Sequence, residues 1–81
     1  MSMVTVQLFA SYAEALGGQT LEIPLDSGST VADLVRGIRS LPGGHSLPPA
    51  VRIAVNRKFA EPNQIIDSSD EIAAIPPVAG G

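Results

Sequence analysis

No cysteine occurs anywhere in the 81 residues. This excludes disulfide staples, thiolate metal sites and persulfide chemistry on a side chain, and it fits the reducing compartment of a soluble cytosolic protein. Positive charge is also scarce, with five lysines and arginines against eight acids and a formal net charge of −3. Arg36 and Arg39 fall three apart on one helix and Arg57 and Lys58 in a turn, too few for the basic stripe that phosphate binding uses, so no nucleic-acid partner is expected. The longest apolar segment, Ile72 to Ala79, is far short of a membrane span and is broken by prolines. No signal peptide is legible at Met1-Ser2-Met3, so a cytoplasmic location and no membrane partner are expected. The single histidine, His45, has no second His, Cys or carboxylate cluster nearby, so neither a metal nor a bound cofactor is expected. Nor is there a Gly-rich phosphate loop before a helix, a nucleophile elbow or a carboxylate pair in an apolar stretch. Glu14, Glu22, Glu61, Asp26 and Asp67 fall in turns or on outward faces and read as solvated charges.

Hydrophobic residues make up 44% of the chain, which places it among globular domains. At this length about 60% of the unfolded surface is buried, so one sheet against one or two helices is nearly all the core available. Met3 to Leu8 alternates, with Val4, Val6 and Leu8 on one face, as a half-buried strand does. Phe9, Tyr12, Ala13 and Leu16 then fall at helical spacing until Gly17-Gly18, which predicts one or two turns of helix. Leu21, Ile23 and Leu25 restore the strand period, and Pro24 among the outward positions predicts an edge strand antiparallel to the first.

Thr30 with Asp33 has the form of a capping box, opening a helix whose stripe is Val31, Leu34, Val35, Ile38 and Leu41 and which should end near Leu41 before Pro42. Arg36 and Arg39 are expected to face water. Pro42 to Pro49 reads as a loop, Val51 to Val55 as a central strand, and Phe59-Ala60 as a short strand after the Asn56-Arg57-Lys58 turn. Ile65 and Ile66 are expected to anchor the following loop to the core. The first and last strands could lie side by side in parallel at the centre of a mixed sheet.

The chain closes on residues 70–81. Ile72 to Ile75 is an apolar run suited to a buried strand, and Asp70 and Glu71 mark the solvated turn where it begins. Pro76 cannot donate to a ladder, so the sheet should stop there and Pro76-Pro77 should hold the departing chain extended. The expected division is thus a folded body over 1–75 and an extended arm over 76–81, which reaches at most ~20 Å at roughly 3.3 Å per residue. Gly80 and Gly81 carry no Cβ, so a partner can close tightly around them. The terminal carboxylate has a reference pKa of about 3.5 and is a poor electrophile when ionised. Adenylation would supply a leaving group, after which either a sulfur nucleophile or a lysine amine could attack the acyl carbon.

The strand order resembles the β-grasp, ubiquitin-like fold, an α+β arrangement of about five mixed strands on one main helix. Asp70-Glu71-Ile72-Ala73 followed by Ile75-Pro76-Pro77-Val78-Ala79-Gly80-Gly81 resembles the end of the small subunit of molybdopterin synthase. The similarity also runs through Leu8-Phe9-Ala10, Thr30-Val31 with Leu34, and Ala54-Val55-Asn56. The Pro-Pro-Val-x-Gly-Gly ending is the specific part. The resemblance implies a sulfur carrier with no independent catalytic site, acting as the sulfur-donating small subunit of a heteromeric sulfurtransferase, in keeping with a heterotetramer. An adenylating, E1-like enzyme would use ATP to charge the carboxylate of Gly81, and a sulfurtransferase would replace the adenylate with sulfur. The thiocarboxylate would then supply dithiolene sulfur to cyclic pyranopterin monophosphate in the large subunit. On this reading Phe9, Ile75, Pro76, Pro77, Val78, Ala79 and Gly80 contact partners. A carrier for thiamin synthesis or transfer-RNA thiolation, and a modifier joined through Gly81 to lysines, are the alternatives that the same fold and ending allow.

Overall fold

The computed structural model describes residues 2–48 and 51–76. Seven regular elements and one short 3-10 turn follow in order. They are β1 (Ser2–Leu8), α1 (Ala10–Leu16), β2 (Thr20–Leu25), α2 (Val31–Arg39), the 3-10 turn Gly44–Ser46, β3 (Arg52–Val55), β4 (Lys58–Phe59) and β5 (Ile72–Ile75). The strands form one sheet in the order β2-β1-β5-β3-β4. β1 and β5 are parallel neighbours, while β1/β2, β3/β5 and β3/β4 are antiparallel. The parallel pair expected from the sequence is therefore present, and β2, with Pro24 opposite Met3, is an edge strand.

Alternation fixes which face is covered. Val4, Val6 and Leu8 of β1, Ile53 and Val55 of β3, and Ile72 and Ala74 of β5 are all buried, with Leu34 and Ile38 of α2 packed in the same core. Helix α2 opens with the anticipated capping box: the Thr30 N–H donates to Asp33 Oδ2 at 2.9 Å and the Asp33 N–H donates to Thr30 Oγ1 at 3.3 Å. These bonds satisfy donors that the first turn of any helix leaves unpaired, and the Thr30 amide holds the Asp33 carboxyl below its ordinary range. The α2 N-terminus is tied down further by the Val31 and Ala32 N–H groups, which donate to the carbonyls of Gln64 and Pro62.

Several expectations need correction. Helix α2 ends at Arg39, before Leu41. Arg39 is half-buried, with its Nε shielded from solvent, and so does not simply face water. Phe9 is not part of the α1 stripe: it is the N-cap residue and stays 45% exposed, while Tyr12 takes the core position. Of the isoleucine pair, Ile66 is buried but Ile65 is 64% exposed, since its bridge to Thr30 turns alternate side chains to opposite sides. The loop after α2 is more ordered than its composition suggests. A Cβ on Gly44 would lie 2.0 Å from the Ile38 carbonyl oxygen, so only glycine lets the turn pass beneath the end of α2, and Leu47 is carried into the core. His45 remains exposed there.

Candidate functional site

The covered face of the sheet has a counterpart. Gln7, Ala73, Ala54 and Phe59 stand in one row across β1, β5, β3 and β4, because each is the ladder partner of the next. These residues alternate with the core positions and lie on the open side, which no helix among the described residues covers. Two alanines at the centre make this face shallow. Around them stand Phe9, Phe59 and Ile75, which together with Gln7, Ala54 and Ala73 line a depression of about 310 Å³. Phe59 is 60% exposed, and the Arg52 guanidinium sits 4.5 Å from the centre of its ring in a cation–π contact. Glu71 and Arg57 close one end, 3.7 Å apart and largely solvated, an ion pair of little energetic weight.

The register explains why Phe9 and Ile75 meet. β1 and β5 run in parallel with Leu8 opposite Ala74, so the residues that follow, Phe9 and Ile75, leave the sheet at the same end. Pro76 comes next and is half-buried. The structure thus gathers three of the residues expected to contact partners, Phe9, Ile75 and Pro76, at the exit of the last strand. The expectations for Pro77, Val78, Ala79, Gly80 and Gly81, including the arm over 76–81 beyond its first residue, lie outside the described residues.

The sequence reading missed Phe59, Ala54 and Ala73. A signal for them was available: the chain has only two phenylalanines and one tyrosine. In a chain so poor in aromatics, ring surface left outside the core is a contact surface in waiting.

Among the described residues no charged residue is buried as a whole, and no group of three or more His, Cys, Asp or Glu is placed to hold a metal ion. Glu14, Glu22, Asp26, Glu61 and Asp67 are exposed. Asp67 is held below the ordinary carboxylate range by the Ser69 hydroxyl and then by the Ser69 amide, which shape the turn into β5. Burial raises the Tyr12 hydroxyl above its usual range. Neither arrangement pairs an acid with a base. No described helix is long and apolar enough to cross a membrane.

Residues 6–81 match the model of the ThiS family. The molybdopterin synthase sulfur carrier subunit of Dictyostelium discoideum is 37% identical over 81 aligned positions, covering 94% of this chain and 93% of the relative. The protein of the same name from Arabidopsis thaliana is 32% identical over 79 positions, covering 96% of this chain and 82% of the relative. Among solved structures, the small archaeal modifier protein 1 of Haloferax volcanii superposes with a TM-score of 0.83 at 25% identity, covering 96% of this chain and all of the other.

Proposed function

The chain belongs to the ThiS family, and on that footing we propose that it is the sulfur carrier subunit of a molybdopterin synthase, with its reactive group at the carboxylate of Gly81. The observation that carries this reading is the extent of the match: it runs to residue 81 and so takes in Pro76-Pro77-Val78-Ala79-Gly80-Gly81, the part of the sequence that can carry acyl chemistry. The exposed aromatic and aliphatic face beside the exit of β5 supports it as a surface that other proteins grip.

The steps follow from the chemistry of a carboxylate. An oxygen of the Gly81 carboxylate attacks the α-phosphorus of ATP on an adenylating enzyme, and pyrophosphate leaves. The terminal sulfur of a sulfurtransferase persulfide attacks the acyl carbon and AMP leaves, giving an acyl disulfide. A second thiol then attacks the sulfurtransferase sulfur, forming a disulfide and expelling the Gly81 thiocarboxylate. In the large subunit that sulfur passes to the molybdopterin precursor, and water restores the carboxylate. With no side chain at either terminal glycine, the donor is the narrowest one a chain can present to a closed site. Proline before it limits the entropy lost on insertion.

Intact mass of the protein purified from its native host tests the reading. A fraction of molecules should have one oxygen replaced by sulfur at the C-terminus, and deletion of Gly81 should abolish that form. The deletion should leave the melting temperature almost unchanged, since the buried core among the described residues is complete by Ala74. One observation favours a second role: the Haloferax structure is that of a modifier protein. Finding Gly81 only in conjugates with lysines, with no sulfur form, would replace the carrier reading with that one.

A further inference from the structure

The second surface lies on the other side of β3, between that strand and α2. Here Val31, Val35, Val51 and Ile53 form an apolar floor, and Arg36, Arg39 and Arg52 stand at the rim of a groove of about 710 Å³. Three of the five basic residues of a chain with net charge −3 therefore line one groove. Their pairing is uneven. Arg36 reaches Asp33 at 3.3 Å on the solvent side and the Arg52 guanidinium lies 4.5 Å from the centre of the Phe59 ring, but neither Arg39 nor Arg52 has a carboxylate within 4.0 Å among the described residues. Arg39 is the sharper anomaly, for its Nε is buried and has no hydrogen-bond partner among those residues. A buried donor left unpaired costs free energy, and an acceptor entering the groove would recover it. Glu61, also in the lining, is the carboxylate that a visiting anion would have to pass.

The strand beside the groove supplies a second kind of contact. β5 pairs with β3 along all of Arg52 to Val55, but β4 pairs only with Ala54 and Val55. One further bond, from the Ala60 N–H to the Ile53 carbonyl, ends the cover on that side. Among the described residues the leading part of β3 therefore has no ladder strand on that side beyond this one bond, and sheet edges of that kind accept extended segments.

We propose that this groove docks an acidic, extended segment of a partner protein, its alternate apolar side chains on the valine floor and its carboxylates on Arg39 and Arg52. Charge complementarity selects the occupant: a basic or neutral segment would leave both guanidiniums uncompensated and gain nothing from the rim. The proposal does not depend on the carrier reading, because no atom of the C-terminal segment enters it.

The test uses the whole protein and a fluorescein-labelled synthetic peptide alternating Asp or Glu with Val or Ile, alongside the same peptide with lysine at every acidic position. In low salt the acidic peptide should raise the anisotropy and the lysine peptide should not. Amide shifts in a 15N spectrum should cluster on Val51–Ile53 and residues 35–39. Arg39→Gln should weaken binding about tenfold, the usual scale for a charge-assisted hydrogen bond. Glu61→Gln should tighten it by about twofold, a gain that misfolding cannot mimic. Should Arg39→Gln fail to fold, Arg52→Gln, at an exposed position, reads the same loss. Equal binding of both peptides, absence of binding, or shifts confined to the open face around Phe9 and Ile75 would each overturn the proposal.

Discussion

On β5, Ile72 and Ala74 are 1% and 0% exposed, while their neighbours Ala73 and Ile75 remain half-buried on the other side of the same strand. The contrast extends across the sheet. One face is closed by α2 over valine, leucine and isoleucine; the other is a shallow alanine floor with phenylalanine at its margins. The covered face makes the fold and the open face is left exposed, and a period-two strand lets one sequence supply both without compromise at any single position. Substitutions on the two faces should therefore separate stability from docking.

The largest effect on stability is expected on the covered face. Ile53, 2% exposed and opposite Ala74, has no room to be replaced by solvent. Ile53→Ala should cost about 2–5 kcal/mol, the range for deleting a buried aliphatic side chain and leaving a cavity. Urea denaturation checks it: the midpoint should fall sharply with little change in slope. A loss below about 1 kcal/mol would mean that the face is looser than its burial indicates.

Next in size is the cap that starts α2 and so sets how the helix lies over the sheet. Thr30→Ala removes the acceptor for the Asp33 N–H and should cost about 1 kcal/mol. The pH dependence has a definite sign. The Asp33 carboxyl is held below its ordinary range, chiefly by the Thr30 amide, so it binds a proton less readily in the folded state than in the unfolded one. Its contribution is therefore present above the unfolded carboxylate pKa of about 3.9 and is lost as pH falls through the lower folded value. Asp67, lowered by Ser69, acts in the same direction. Thermal unfolding from pH 6 to pH 2 should show an acid limb for the parent chain that is flatter in Asp33→Asn.

The features that sequence alone revealed are those written into local spacing. β1, the α2 stripe, the Thr30-Asp33 cap and the parallel placement of β1 and β5 were legible because periodicity and capping are short-range. The misreadings have other causes. Phe9 sits at helical spacing from Tyr12, yet the chain reverses at an extended Phe9 and Ala10 at φ 47°, so the ring falls outside the stripe. Arg39 reads as a solvent-facing cation, but it is half-buried and its Nε is shielded from solvent. Phe59 lies in a strand of two residues, too short for any period, and only its pairing with Ala54 puts it on the open face. For Phe59 the deciding neighbour is distant in sequence, whereas for Phe9 it is the local backbone.

The smallest expected change in stability is the one that most sharpens the contrast. Phe9→Ala alters a residue that is already 45% exposed and makes no cap hydrogen bond through its side chain, so the shift should stay within about 0.5 kcal/mol. Yet Phe9 stands beside Ile75 where β5 leaves the sheet, in the position from which a partner holding the C-terminal segment would also touch the body. Aromatic residues at the centre of an interface commonly account for tenfold or greater losses when truncated, so affinity for the adenylating enzyme, measured by titration calorimetry, should drop by about that factor. The result has meaning because the parent and the variant should unfold together. A variant that binds as well as the parent would move the contact surface away from the open face, leaving the strand exit as a route for the terminus and nothing more.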